Sequence, residues 1–287
     1  MANTTSSAIA DSQIALMDQA FQVEASDKIV IDQFVSYKKQ INAKSIDFVK
    51  YSKLGYQTTA LTDGTDPDAV AMSDSKVTFT PAEYGAVITT TSLASLQSGG
   101  KADLGASQVV ARSMAESSNR LGLIAGQSGS NLKNGSSAVL TEALINEMYY
   151  NLVKANAEKF DGDSYVAIVH PAIANLVANL SGWQDTQKYA DAMEILKNEV
   201  GFFKGFRFIS SSGMPFTGTG VNAVHKSIFM GRNALGKAES KPASLRITGP
   251  YDKLGRMLNV GWYGVFAYGV VDNDALQVCS SKATLGA

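Results

Sequence analysis

Residues 55–92 of this sequence form a long polar stretch with the composition of a β-ribbon. Tyr, Thr, Val and Phe are frequent in its two arms, GYQTTAL and KVTFTPAEYGAVITTT, as is typical of strands. Between the arms, Asp63-Gly64 and Asp66-Pro67 favour turns. A two-stranded ribbon with few large apolar residues is at best marginally stable in water. The stretch is therefore either a disordered surface insertion or a ribbon that another molecule stabilises, and we favour a second copy of the same chain.

A long amphipathic helix is predicted directly after the ribbon, from about Asp103 to Ala125. Its predicted N-cap is Asp103, and Gly126 and Gly129 are predicted to end it. At 1.5 Å per residue this helix would be about 33 Å long, which is enough to cross a whole domain. The apolar residues that would form one core-facing stripe are Val110, Met114, Leu121 and Ile124.

The rest of the chain alternates short helices and strands. Helices are predicted to begin at Thr141, at Asp185 and at His170-Pro171, where Pro171 fits the first helical position. The almost continuously apolar segment SYVAIV predicts a strand that is buried on both faces. Further strands are predicted at 206–210 and 225–230, and the aromatic tail RMLNVGWYGVFAYGVV predicts a long strand. This order of elements predicts an α+β fold.

The charge of the chain limits its partners. The net charge of −1, from 26 acidic and 25 basic residues, argues against a dedicated nucleic-acid-binding protein. Acidic residues nevertheless concentrate in 51–100 and basic residues in 201–250. The two segments could be complementary halves of a contact between copies, or solvated surfaces that contribute little. The candidate contact residues between subunits are Tyr56, Asp63, Asp66, Asp68, Asp74, Phe79, Tyr84, Arg207, Arg232, Lys237 and Arg246.

Two glycine-rich segments imitate nucleotide-binding motifs. Gly231–Lys237 matches a phosphate-binding loop until Ala238, which stands where a Ser or Thr hydroxyl would hold magnesium. Gly218–Ala223 resembles a dinucleotide fingerprint, but a strand is predicted after it instead of a helix. Either His170 or His225 could serve as a catalytic base in principle, although His170 is better placed as a helix cap. The motifs therefore favour turns over a nucleotide site.

The remaining chemistry of the sequence points away from an enzyme. Cys279 is the only cysteine, which excludes an internal disulfide and suits a reducing cytoplasm. With two histidines, it cannot furnish a histidine–cysteine metal site. The N-terminus lacks the pattern of a signal peptide, and no apolar stretch is long enough to span a membrane. We therefore predict a protein that is not an enzyme, has no cofactor or metal, and has no membrane partner.

The order of the elements resembles the major capsid protein of tailed bacteriophages with the Hong-Kong-97-like fold. The phrases that carry the resemblance are VAIVHPAIANL, YADAMEILKNEVGFFKGFRFISSSGMP, SIFMGRNALGKA and YDKLGRMLNVGWYGVFAYGVVDND. It covers nearly the whole chain and is closest to the coat proteins of N-four-like podoviruses. The resemblance implies the following parts: an N-terminal arm (1–54), an E-loop ribbon (55–92), a P-domain with its spine helix (93–129) and long strands (246–272), an A-domain (130–245), and a return strand with the C-terminus (273–287).

The same resemblance implies a structural function. The subunits would form hexamers and pentamers of an icosahedral shell that encloses double-stranded DNA without sequence specificity. The protein would be part of the virion and would assemble in the host cytoplasm. Its implied partners besides itself are a portal protein and a separate scaffolding protein, and a decoration protein is a possible addition. Because few residues precede the ribbon, a separate scaffolding protein is expected, or none.

The capsid reading carries one further expectation and leaves two alternatives open. Some relatives join a ribbon Lys to an Asn of another subunit, but this ribbon has no Lys between Lys53 and Lys76, so a non-covalent shell is expected. The nearest alternative is an encapsulin-like bacterial compartment shell with an enzyme cargo. The alternative from another class is a soluble nucleotide-binding enzyme that uses the loop Gly231–Lys237.

Overall fold

The helices and strands have the following bounds in a computed structural model, which describes residues 17–19, 21, 29–52, 54–64, 66–133, 138–160, 163–180, 183, 199–250 and 252–283. The helices are α1 (Ser92–Gln97), α2 (Lys101–Gln127), α3 (Glu142–Lys154) and α4 (Pro171–Ala178). The strands are β1 (Ser36–Lys39), β2 (Ile46–Tyr51), β3 (Asp74–Phe79), β4 (Ala82–Thr91), β5 (Leu132–Lys133), β6 (Tyr165–Val169), β7 (Glu199–Phe203), β8 (Phe206–Ser210), β9 (Phe216–Thr217), β10 (Val224–Met230), β11 (Leu235–Thr248), β12 (Met257–Val270) and β13 (Leu276–Lys282). The helix predicted from Asp185 lies outside the described residues.

The strands form two large sheets and one short ribbon. A four-stranded sheet has the order β1-β11-β12-β4, in which only β1 and β11 are parallel. A seven-stranded mixed sheet has the order β5-β13-β10-β6-β8-β7, with β9 paired to β10. β2 and β3 pair separately as a hairpin. The chain thus builds two sheet layers and one arm that belongs to neither.

The seven-stranded sheet is buried on both of its faces. β6 is buried at all five of its residues, as the sequence predicts. One face packs under α3 and α4, and the other packs against α2 and residues Val30, Ile31 and Phe34. α3 begins after Thr141, whose hydroxyl accepts a hydrogen bond from the N–H of Leu144. The first half of β11 lies in the range predicted for the A-domain. Within the described residues, however, β11 pairs only with strands of the four-stranded sheet. The chain therefore passes from one sheet to the other near Ala234.

The long helix α2 differs in detail from the prediction. It spans 27 residues and is about 40 Å long. Its N-cap is Gly100, and the predicted cap Asp103 instead lies in the first turn, where it accepts a hydrogen bond from the Ser95 hydroxyl at 2.6 Å. Ile124 is 46% exposed, while the neighbouring Leu123 is fully buried. The buried residues recur every four positions, so the stripe winds around the helix from one sheet to the other.

Gly126 does not end α2, contrary to the prediction. A Cβ atom at this position would lie 2.7 Å from Cδ1 of Ile228 and 3.3 Å from Cδ1 of Leu235. Gly126 therefore permits a close approach of the helix to the two sheets. The helix continues to Gln127, whose amide donates hydrogen bonds to the carbonyl oxygens of Pro215 and Lys226 at 3.0 and 2.9 Å.

The predicted ribbon is a hairpin whose return strand, β3, overlaps the predicted return arm, but its first strand lies earlier in the chain than predicted. β2, before the predicted range, pairs with β3, whereas residues 55–61 form no strand. The second half of the predicted return arm is β4, which pairs along its whole length with β12 in the four-stranded sheet. Ile46 and Phe48 explain this arrangement, because they pack with Phe79 and Ala238. The segment 55–61 offers no comparable apolar pair, since its residues are exposed.

Asn119 of α2 joins three parts of the subunit. Its Oδ1 atom accepts hydrogen bonds from the N–H groups of Val30 and Ile31, both at 3.2 Å. Its Nδ2 atom donates to the hydroxyl of Ser211, which follows β8, also at 3.2 Å. This buried amide therefore connects the N-terminal arm and the seven-stranded sheet to the helix.

We predict that Asn119→Ala lowers the free energy of unfolding by about 2–4 kcal/mol, because it leaves two buried backbone N–H groups without an acceptor. Urea denaturation of the full chain measures the change. The matched control is Asn179→Ala, since the side chain of Asn179 is exposed and its described hydrogen bonds go to Asn175; its expected change is within about 0.5 kcal/mol. Equal losses in both variants would show that Asn119 has no joining role.

Candidate assembly surfaces

Residues 52–73, here named the ribbon tip, protrude beyond the hairpin of β2 and β3. Every described residue of the tip is exposed. The base of the tip is closed by Ser52, whose N–H and hydroxyl both donate to the carbonyl oxygen of Ser73 at 2.9 Å. The tip is therefore held at its base and makes no core within the described part of its own subunit.

The ribbon tip combines exposed apolar side chains with carboxylates. Its large apolar side chains are between 63% and 91% exposed and comprise Leu54, Tyr56, Leu61, Val70 and Met72. Asp63, Asp66 and Asp68 lie between Leu61 and Val70 and form no ion pair within the described residues. Large apolar side chains that are exposed together in one segment mark an interaction site more often than a free surface. The composition of the tip predicts an acidic and partly apolar contact.

The hairpin is anchored to the body of the subunit by aromatic packing. The rings of Phe48 and Phe79 lie 4.9 Å apart, and Phe79 is buried. Gly269 of β12 lies against the Phe79 ring, because a Cβ atom there would be 2.5 Å from Cε1. Lys50 adds an ion pair with Asp272 at 2.7 Å. The predicted contact residue Phe79 thus anchors the hairpin within its own subunit and is not available to another.

Lys237 is likewise used inside the subunit, which corrects two interpretations of it. Its ammonium group pairs with Asp32 and lies over the rings of Phe266 and Tyr268, at 5.7 and 5.3 Å from their centroids. The side chain is only 12% exposed. The lysine of the apparent phosphate-binding loop is therefore a structural cation, and the loop itself leads into β11. Because its side chain is largely buried, Lys237 is not accessible for a contact with another subunit.

A partly buried polar network surrounds this ion pair. The hydroxyl of Tyr268 donates to Oδ1 of Asp32 at 2.6 Å and lies 2.7 Å from the hydroxyl of Ser118 on α2. Burial, together with the charge of Asp32, raises the pKa of Tyr268 far above its usual range. Nearby, burial and a hydrogen bond to Glu239 raise the pKa of Tyr37 to about 12. Both phenols remain neutral donors that attach the arm to the four-stranded sheet.

The other predicted contact residues differ in their accessibility. Tyr84 is half-buried, with its ring 5.0 Å from that of Phe266 beneath the sheet. Arg207 on β8 is half-buried, and Asp74 is exposed at the start of β3. Arg232 is exposed at the turn before β11 and lines a cleft of about 620 Å³ beside β2.

Arg246, a contact candidate from the basic segment 201–250, belongs to a charged patch on the four-stranded sheet. It lies on the face of the four-stranded sheet opposite α2, with its guanidinium carbon 5.8 Å from the ring centroid of Tyr263. The ammonium group of Lys241 lies 5.0 Å from the same centroid. One carboxylate, that of Glu83 on β4, is hydrogen-bonded to Tyr263. We name Lys241, Arg246 and Tyr263 the sheet patch, which carries two cations beside this one carboxylate. Only the pairing of β11 with β12 brings these residues together, so no sequence motif could have indicated the patch.

The two histidines lie together but form no catalytic pair with an acid. His170 caps α4 as predicted, with its Nδ1 atom accepting the N–H of Ala172 at 3.2 Å. Its ring stacks on that of His225 with centroids 4.4 Å apart. Within the described ranges, no group of three His, Cys, Asp or Glu side chains could hold a metal ion. The helices in those ranges also lack one long and apolar enough to cross a membrane.

Comparison with solved structures finds this fold in phage capsids and in a virus-like particle. The capsid of Ralstonia phage GP4 matches with a TM-score of 0.70 and 11% identity, over 90% of this chain and 92% of that chain. The head of Helicobacter pylori bacteriophage KHP40 matches with a TM-score of 0.69 and 12% identity, over 90% of this chain and 91% of that chain. A virus-like particle from Pyrococcus furiosus matches with a TM-score of 0.58 and 12% identity, over 92% and 97%.

In sequence, no family model matches the chain and no curated protein is similar to it. At the low identities of the structural matches, the similarity concerns the arrangement of helices and strands along nearly the whole chain. That arrangement is the one the order of elements predicts. The chain therefore has the α+β, Hong-Kong-97-like fold of phage capsid subunits.

Proposed function

We propose that this chain is the major capsid protein of a tailed bacteriophage, a structural subunit that assembles with copies of itself into an icosahedral shell of hexamers and pentamers. The observation that carries the proposal is the ribbon tip, which is fully exposed yet rich in large apolar side chains. The shared fold of phage capsids supports the same conclusion. In this role the tip is completed by an adjacent subunit.

The free energy available to the tip is large enough to drive assembly. Burial of one large apolar side chain contributes about 1.5–3 kcal/mol. The five exposed apolar side chains of the tip would together contribute about 10 kcal/mol per subunit, before the cost of ordering the tip. The rigid anchor at Phe48 and Phe79 reduces that cost, because the base of the hairpin is already in place.

Charge complementarity supports one orientation of the contact. Asp63, Asp66 and Asp68 give the tip a negative charge, and the sheet patch carries Lys241 and Arg246 on an accessible face. Opposite charges across an interface favour the correct partner and speed encounter. We propose that the tip of one subunit lies near the sheet patch of its neighbour. Tyr56, Asp74, Arg207 and Arg232 remain accessible or half-accessible candidates for other contacts.

The remaining partners follow from the capsid role. The near-zero net charge suits a wall that encloses double-stranded DNA without binding it tightly. A portal protein, a separate scaffolding protein and a decoration protein are the further partners proposed, with the virion as the location and the host cytoplasm as the place of assembly. We also propose that the shell is held by non-covalent contacts.

The compartment-shell alternative shares the fold and differs in the contents of the shell. The structural similarity does not separate the two roles, because the TM-scores of phage capsids extend from 0.56 to 0.70 and that of the Pyrococcus furiosus particle, 0.58, lies within this range. The genes beside the coding gene distinguish them. Portal, terminase and tail genes would support the phage role, whereas a gene for a cargo enzyme in that place would favour the compartment.

The first prediction concerns the ribbon tip. Replacing residues 53–72 with Asn-Gly should join Ser52 to Ser73 through a two-residue turn that suits the register of β2 and β3. The subunit should remain folded by circular dichroism but fail to form shells in electron microscopy and sedimentation. As a full-length control, Tyr56→Ser with Leu61→Ser should weaken assembly in the same direction. Normal shells from the shortened chain would show that the tip is dispensable.

The second prediction concerns charge. Replacing Asp63, Asp66 and Asp68 with Lys should slow assembly at low salt, where Debye screening is weak, and much less at 0.5 M salt. Light scattering during assembly measures the rate. The matched neutral variant, with Asn at the three positions, should lie between the wild type and the reversed variant. Identical rates for all three proteins at low salt would exclude charge complementarity at the tip.

The third prediction separates the capsid role from the nucleotide-binding alternative. Lys237→Met should destabilise the subunit by about 2 kcal/mol, because it leaves Asp32 without its partner in a largely buried site. Thermal unfolding with and without ATP and magnesium should show no nucleotide-dependent shift in the wild type. A shift of several degrees in the wild type that Lys237→Met abolishes would revive the enzyme alternative.

A further inference from the structure

A pair of stacked histidine rings lies beneath the start of α4, on the helix-covered side of the seven-stranded sheet. The rings of His170 and His225 are 4.4 Å apart with an angle of 27° between their planes. The ring of Phe216 on β9 packs against both, with its centroid 5.4 Å from that of His170 and 5.1 Å from that of His225. His225 is fully buried, and neither of its nitrogen atoms has a hydrogen-bond partner among the described residues. The stack is an aromatic cluster that holds two titratable groups.

The first histidine holds the N-terminus of α4 only in its neutral form. Its Nδ1 atom accepts the N–H of Ala172, so that nitrogen carries a lone pair. Protonation would turn Nδ1 into a donor and remove the cap. The new positive charge would also lie at the positive end of the helix dipole. Protonation of His170 therefore weakens the attachment of α4 in two ways, by loss of the cap and by repulsion from the helix dipole.

Within the described part of the chain, the elements around the rings offer no carboxylate to balance an imidazolium. Among the described elements that pack around the rings, β6, β9 and α4 carry no charged residue, and β10 and β13 carry only Lys226 and Lys282. Cys279 on β13 stays a neutral thiol, because burial raises its pKa to about 12. The negative charge of Glu147 on α3 also raises the pKa of that thiol. This carboxylate is already paired with the ammonium group of Lys133, at 3.1 Å.

We propose that the His170–His225 pair is an acid-sensitive switch that releases α4 from the seven-stranded sheet at mildly acidic pH. α4 covers the sheet through Ile173, Leu176 and Val177, which are buried. Loss of its cap would expose this apolar face. The switch belongs to the fold of the subunit and does not depend on the proposed shell.

The direction of the pH dependence follows from linkage. Burial lowers the pKa of both imidazoles, and the proximity of His170 lowers the pKa of His225 further. The folded chain therefore binds fewer protons than the unfolded chain at mildly acidic pH. Stability is unaffected well above the ordinary histidine pKa of about 6.5 and falls as the pH decreases through that value. Between pH 7.5 and pH 5.0 the unfolding constant can rise by at most about 30-fold per histidine.

The test compares the full-length wild type with the double variant His170→Asn, His225→Phe at pH 7.5 and 5.0. Asn keeps a cap acceptor at position 170, and Phe preserves the aromatic stack, yet neither can take up a proton. Urea denaturation gives the unfolding constants. Hydrogen exchange, corrected for the intrinsic effect of pH, gives the protection of the amides of Ala172, Ile173 and Ala174 relative to those of β6.

In the wild type we expect acid to lower the protection at the start of α4 at least tenfold more than the protection of β6. In the double variant this difference should vanish, and the acid-induced rise in the unfolding constant should shrink by at least tenfold. The proposal would be overturned if acid raised the unfolding constant of the double variant as much as that of the wild type. Equal loss of hydrogen-exchange protection in α4 and β6 of the wild type would also overturn it. If the double variant does not fold, the single variant His170→Asn must still remove the selective loss at Ala172, or the proposal fails.

Discussion

The close contact of α2 with both sheets is the interaction on which the rest of the subunit depends. α2 can lie this near because small residues, such as Gly122 and Gly126, face Ile31, Tyr268 and Ile228. The winding of its buried stripe allows one helix to pack on the four-stranded sheet at one end and on the seven-stranded sheet at the other. Two sheets that share no strand thereby become one body.

The polar groups along α2 give this contact its specificity. Asn119 and Ser118 reach buried partners on the N-terminal arm and on β12, and the Asp32–Lys237 pair lies next to them. Buried polar groups without partners are costly, so each of these bonds disfavours other packings of the same apolar surfaces. A rigid body of this kind can hold the base of the hairpin firmly. The ribbon tip then becomes the one long described segment whose apolar side chains the subunit itself leaves uncovered.

Local patterns predicted the elements that depend on nearby residues. The buried strand β6 and the cap at His170-Pro171 follow from short apolar and turn motifs, and both are present as expected. The ribbon was predicted to exist but was placed several residues too late. Its first strand, β2, is selected by the packing of Ile46 and Phe48 against Phe79, and these contacts cross more than 30 positions. The roles of Phe79 and Lys237 were misjudged for the same reason, since burial depends on distant partners.

The sequence alone determined that this chain has an α+β order of elements with a long helix and a protruding arm rich in turns. Those properties follow from periodicity, turn residues and composition, which act over a few positions. Only the tertiary structure decided which strands pair, which lysine is buried and which side chains of the arm stay exposed. The sheet patch and the stacked histidines also exist only in the folded chain, because strand pairing brings together residues that no local pattern connects.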